Sequence, residues 1–179
     1  MEFQKVIESR RSVRNYDPAK KVDKATVEEL VEAAILAPSW KNAQASRYYC
    51  ILSEEALSRF RQECLPAFNA NNVAQAPALI VTTFVKNRSG FERSGEQVNE
   101  LGNGWGLYDL GLQNENLLLK AKDMGLDTLV IGIRDADKIC EMLSINEDET
   151  VVSVIGLGYA IQEPGMPKRK NAGEILKFF

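Results

Sequence analysis

Residues 105–125 read "WGLYDLGLQNENLLLKAKDMG". A surface helix needs one apolar stripe, but Trp105, Leu107, Tyr108, Leu110, Leu112, Leu117, Leu118 and Leu119 point almost all round. This helix is therefore expected to be buried, in the core or in a subunit interface, and to stop at Gly125. Asp109, Gln113 and Asn116 recur in helical register among the leucines. Next comes "DTLVIGI" (127–133), which predicts a buried strand.

On the N-terminal side, "APALIVTTFVK" (76–86) is a continuous apolar run after Pro77, as in a central strand covered on both faces. "RYYCILS" (47–53) predicts another strand and "EEALSRFRQEC" (54–64) a helix capped by Ser53. A first helix shares Phe3, Val6 and Ile7 on one face and ends near Arg10. "VDKATVEELVEAAILAPS" (22–39) predicts a second, capped by Asp23 or by a Thr26–Glu29 box, with Val27, Leu30, Val31, Ala34 and Ile35 as its buried stripe. Residues 86–104 predict a loop. Downstream come a short helix, 135–144, capped by Asp135, a further strand, 149–160, and an extended tail. Helices and strands mix without regular βαβ alternation, which gives an α+β fold rather than a doubly wound one.

At 179 residues the chain fits a single domain, 1–179, with a sizeable core. A net charge of −3 argues against a nucleic-acid or membrane partner, so cationic groups must act locally. Cys50, Cys64 and Cys140 lack metal or disulfide spacing and read as reduced thiols of a cytoplasmic protein, with Cys50 a small buried hydrophobe. The absence of histidine excludes Ser-His-Asp and Cys-His catalysis and histidine-held metals, and no metal site is expected. Any demanding chemistry would then belong to a cofactor.

Four stretches could carry it. "SRRSVR" (9–14) packs three arginines, and both helix-end compensation and anion binding stay open for them. Lys168, Arg169 and Lys170 form a second basic cluster in the tail. Ser39, Asn42 and Gln44 are polar loop residues after a helix that stops at Pro38. Turn chemistry explains the first two better than the third. Gly156 and Gly158 complete no GxGxxG and point to a strand ending or to close packing instead.

Taken in order, these pieces resemble the nitroreductase family of FMN-dependent oxidoreductases. "RRSVRNYDP" (10–18) is similar to its R-R-S-x-R-x-[FY] segment, and "APSWKNAQASRYYCIL" (37–52) to its A-P-S-x-x-N-x-Q-P-W-x-F block. "DLGLQNENLLLKAKDMGLDTLVIGI" (109–133) resembles the central helix and following strand. "GLGYA" (156–160) and "PKRKNAGEI" (167–175) resemble the closing strand and basic tail. Ala45-Ser46 stands where the family has Pro-Trp, and Trp40 is bulkier than usual.

The resemblance implies a central mixed or antiparallel sheet flanked by helices. It also implies a homodimer whose interface contains the long helix, with FMN sites shared between subunits. Arg10, Arg11, Ser12 and Arg14 would hold the phosphate, ribityl chain and pyrimidine edge, and Lys168 or Arg169 would complete the phosphate site. Pro38, Ser39, Trp40, Asn42 and Gln44 would reach the flavin from the partner chain, and Val130, Ile131 and Gly132 would run along the ring. The chemistry is carried by flavin N5: hydride from NAD(P)H passes to a small electrophile such as a nitroaromatic, quinone or enone, in a ping-pong cycle. Arg14 would stabilise the reduced flavin. Two alternatives of other classes are a flavin-handling protein without reductase turnover and a non-flavin anion-binding module.

Overall fold

The computed structural model describes residues 2–179. Helices α1 (Phe3–Ser9) and α2 (Lys24–Ile35) precede a single 3-10 turn, Trp40–Asn42. Strand β1 (Ser46–Ile51), helices α3 (Glu54–Cys64) and α4 (Ala67–Asn72) and strand β2 (Ala78–Val85) follow. The long α5 (Gly104–Asp123) leads into β3 (Asp127–Ile131), α6 (Ala136–Leu143), β4 (Glu149–Gly158) and the short α7 (Ala172–Ile175).

The four strands form one antiparallel sheet in the order β1-β2-β4-β3. The continuous apolar sequence of β2 is explained by its central place, since Ala78 through Phe84 are all buried. One sheet face packs on α2 and α5 through Leu30, Ala34, Ile80, Leu117 and Ile155. The other packs on α3, α4 and α6 through Phe60, Val73, Val81, Ile139 and Val154. Gly156 and Gly158 serve close packing: a Cβ on Gly156 would lie 2.7 Å from Val73 Cγ1, and one on Gly158 2.6 Å from Pro77 Cδ.

Local signals set the helix ends. Asp23, Ser53 and Asp135 each accept an amide from the first turn of their helix, and Gly125 takes φ +78 just past α5. Asp23 is the residue that caps α2, accepting from Thr26 N at 2.8 Å, so the alternative box starting at Thr26 does not form.

Several expectations need correction. Cys50 is exposed, on edge strand β1. Ile35 is 58% exposed and Val31 only half-buried, so the inward stripe of α2 is Val27, Leu30 and Ala34. The long helix α5 is present as expected, and within the single chain Leu110, Leu117 and Leu118 face the core while Leu107 and Tyr108 are 48% and 59% exposed. Its inward side also carries Asp109 and Gln113. The 86–104 loop contains a β-bridge, Phe91 to Gln97, and the tail contains α7 with an Asn171–Glu174 capping box.

Candidate functional site

The arginine segment leaves α1 and is stitched to the outer side of edge strand β3. Val13 N donates to Thr128 O at 2.9 Å, placing Ser12 opposite Thr128 in a parallel bridge. Further along, Asp17 N donates to Tyr159 O and Ile161 N to Asn15 O. Tyr16, fully buried, donates its hydroxyl to Val13 O at 3.0 Å. Burial raises the Tyr16 pKa far above its ordinary value, with the Asp127 carboxylate adding to the shift and Arg14 opposing it. A rigid backbone thus presents Ser12 and Arg14, both exposed, beside β3.

The three arginines divide the work. Arg11 turns back onto the end of α1, its NH1 donating to Glu8 O at 2.6 Å and Arg10 O at 2.8 Å. That is the helix-end role, in which a cation meets unpaired terminal carbonyls. Its Nε is enclosed without an acceptor among the described residues. Arg14 NH1 donates to Ser12 O at 3.3 Å. The Arg10 side chain has no hydrogen bond or ion pair among the described residues.

Past the Ser12–Thr128 bridge, β3 continues as a free edge. Val130 is 48% exposed, Ile131 is buried, and a Cβ on Gly132 would meet no atom within 4 Å. The start of the tail approaches here, with Glu163 and Pro164 lining the clefts beside Arg11 and Arg14. Glu163 is held by Lys122 at 3.2 Å, and Lys122 also meets Asp127 at 3.0 Å. Burial works against the Lys122 charge, but Asp127 and then Glu163 outweigh it and hold the pKa above its ordinary value. Lys168 and Arg169 lie a few residues further on, exposed, and Arg169 NH1 donates to Pro167 O.

The second polar loop lies at the opposite edge of the sheet, just before β1. Lys41, Asn42 and Gln44 all have positive φ (43°, 56° and 49°), a conformation that non-glycine residues adopt only where their surroundings impose it. Ser39 Oγ imposes part of it by accepting from Gln44 N at 3.1 Å. Asp109 supplies the rest. Its buried carboxylate accepts the Trp40 amide on both oxygens and the Ser89 hydroxyl at 2.6 Å. Pro38 is exposed, and the Trp40 ring packs on Trp105 at 4.5 Å between centroids.

Within one chain the structure sets Ser12 opposite Thr128 of β3, with Arg10, Arg11 and Arg14 on the same segment as Ser12 and Val130, Ile131 and Gly132 following Thr128. It does not bring Pro38, Ser39, Trp40, Asn42 or Gln44 to them, because three strand spacings of the sheet, about 14 Å, lie between the two edges. Sequence reasoning missed the anchoring role of Asp109 and its partner Ser89. A carboxylate embedded among leucines on α5 was the available signal.

No helix of the described residues is long and apolar enough to cross a membrane. An α+β chain with a basic segment along one sheet edge and a strained polar loop at the other is the class that this geometry defines. The chain belongs to the Nitroreductase family, whose sequence model matches residues 7–159. It is 31% identical to YdgI of Bacillus subtilis (strain 168), which carries an NAD(P)H nitroreductase name, over 90% of each chain. It is 27% identical to an Archaeoglobus fulgidus protein named for NADH dehydrogenase and NAD(P)H nitroreductase activity, over 89% of this chain and 86% of the other. Among solved structures, a nitroreductase-type protein of Exiguobacterium sibiricum 255-15 in complex with FMN superposes with a TM-score of 0.88 at 26% identity, covering 100% of this chain and 98% of that one.

Proposed function

We propose that this chain is an FMN-dependent oxidoreductase. It would work as a homodimer, taking hydride from NAD(P)H and passing it to a small electrophile such as a nitroaromatic, quinone or enone, with donor and acceptor using one site in turn. Residues 1–179 would act as one flavin-binding unit in the cytoplasm. The observation that carries this reading is the Val13–Thr128 hydrogen bond, which registers Ser12 opposite Thr128 on β3, two residues before half-exposed Val130.

The residues present fit the cofactor. An enclosed Arg11 Nε without an acceptor and an unpaired Arg10 are donors suited to a phosphate. Ser12 adds a hydroxyl for the ribityl chain. Val130, Ile131 and Gly132 offer a flat open strand edge, where Gly132 leaves space that the single chain does not fill. Arg14 supplies positive charge nearer the ring, and Lys168 or Arg169 would close over the phosphate. When bound, FMN supplies the hydride chemistry that a chain without histidine cannot.

The separation of the two loops supports a shared site. A second copy could bring its own Pro38, Ser39, Trp40, Asn42 and Gln44 to the first copy's arginine edge. The exposed Leu107, Tyr108, Ile35 and Leu36 give that copy apolar surface to cover. The test is the visible spectrum after reconstitution with FMN, combined with sedimentation. A yellow dimer supports the reading, and a colourless monomer refutes it. A yellow dimer whose colour survives anaerobic NADH and NADPH would leave cofactor binding standing and refute the reductase assignment.

A further inference from the structure

A second cleft, of about 570 Å³, lies between the Trp40–Ala43 loop and the segment Arg88–Arg93. Trp40, Lys41, Arg88, Phe91, Glu92 and Arg93 line it. Three of these carry positive charge and one negative, on a chain whose net charge is −3. Like charge accumulates in this way against the overall balance where an anion is to be met.

The two rims are built and held at a set spacing. The Trp40 amide and the Ser89 hydroxyl both donate to the single buried carboxylate of Asp109. The far rim is closed by the Phe91–Gln97 bridge, with Glu92 N donating to Glu96 O at 2.9 Å and Val98 N to Gly90 O at 2.9 Å. Gly90 takes φ +85, and a Cβ there would lie 2.5 Å from Gly102 O, so this backbone path belongs to glycine.

The charges are unevenly satisfied. Lys41 Nζ reaches across to Glu92 Oε1 at 2.9 Å, joining one rim to the other. Among the described residues no carboxylate pairs with Arg88 or Arg93. Trp40 Nε1 is also enclosed without an acceptor.

We propose that this cleft binds the anionic group, carboxylate or phosphate, of a small organic ligand, through Arg88 and Arg93, with Lys41 released from Glu92 as a third cation. Arginine forks suit both anions, and Trp40 and Phe91 offer apolar surface to the rest of the molecule. As a place for the donor's or acceptor's charged end, the cleft rests on the oxidoreductase reading, because the Trp40 loop is the one assigned there to the partner's flavin. Binding itself does not need that reading.

The two tryptophans of the chain, Trp40 and Trp105, pack against one another at a tilt beside the cleft, so intrinsic fluorescence reports on it. The protein is titrated, as purified and again after saturation with FMN, with benzoate against benzamide and with 2′-AMP against adenosine. At least one anion should quench or shift the emission saturably while its neutral counterpart does not. A response to benzoate alone assigns the acceptor's carboxylate, and one to 2′-AMP alone the donor's phosphate. Arg88→Gln and Arg93→Gln should each weaken binding about tenfold. Glu92→Gln, which frees Lys41, should tighten it by about threefold, a direction that a purely structural Glu92 would not give. The proposal is overturned if neither anion binds, if neutral analogues bind equally, if both arginine variants bind normally, or if FMN abolishes the response. The flavin spectrum is read separately, so failure here leaves the cofactor assignment untouched.

Discussion

Trp40 N donates to both carboxylate oxygens of Asp109, at 3.1 and 3.0 Å, across 69 positions of sequence. One buried side chain on α5 thereby holds the loop before β1 in a backbone shape that three positive-φ residues of that loop, Lys41, Asn42 and Gln44, would not keep alone. Asp109→Ala removes the acceptor for the Trp40 amide and the Ser89 hydroxyl. Hydrogen bonds to a charged group contribute about 1.5–3 kcal/mol each, so the unfolding free energy from urea melts should fall by at least that amount. Asp109→Asn should cost less, because one carbonyl oxygen remains to accept.

Arg10 and Arg11 should separate in their effects. Arg10 has no partner among the described residues, so Arg10→Ala should weaken FMN binding roughly 10- to 100-fold, the loss of one charge-assisted contact, with an unchanged circular dichroism spectrum. Arg11 caps α1 with its guanidinium, so Arg11→Ala should also lower thermal stability, by about 0.3–1 kcal/mol. Equal FMN affinity of Arg10→Ala and the parent protein would remove the phosphate assignment.

Two glycines distinguish packing from site. On Gly106 a Cβ would lie 2.3 Å from Phe84 Cδ2, where α5 packs on β2. Gly106→Ala should therefore destabilise by about 1–3 kcal/mol, as overpacked cores do. Gly132→Ala meets open space and should leave the unfolding free energy within about 0.5 kcal/mol of the parent's, as surface changes do, while weakening FMN binding.

Alkaline pH should also be informative. Burial first, and then the hydrogen bond to the buried Glu149 carboxylate, push the Tyr49 pKa up to about 12. Burial raises Tyr48 and Tyr16 further in the same direction. With folded values above the unfolded one, the unfolded chain loses these protons first. The stabilisation is complete below the ordinary tyrosine pKa of about 10 and is lost as pH rises through the folded values. Urea midpoints should fall from about pH 10 to about pH 12, and Tyr49→Phe should flatten part of that fall.

Much of this fold was legible because its signals are local. Asp23, Ser53 and Asp135 sit directly before helical periodicity, Gly125 stands where α5 must end, and the run from Ala78 to Phe84 is too apolar for an edge strand. The strand order was not legible, since the pairing of β4 with both β2 and β3 is fixed by partners far away in sequence. The exposure of Cys50 and Ile35 follows from that order and from which side of α2 meets the sheet. The arginine segment was visible as a density of charge, but its register depends on Val13 meeting Thr128, a contact over 115 positions. Asp109 went unassigned because its partners are a main-chain amide and a serine in a loop without periodicity.

The deciding measurement is an anaerobic spectrophotometric titration of the FMN-loaded protein with NADH and with NADPH, followed by a quinone or nitroaromatic. Loss of the oxidised-flavin band on adding at least one donor, and its return with the acceptor, is the expected result. Protein that takes up no FMN, or whose flavin band neither donor bleaches, would contradict the proposed function.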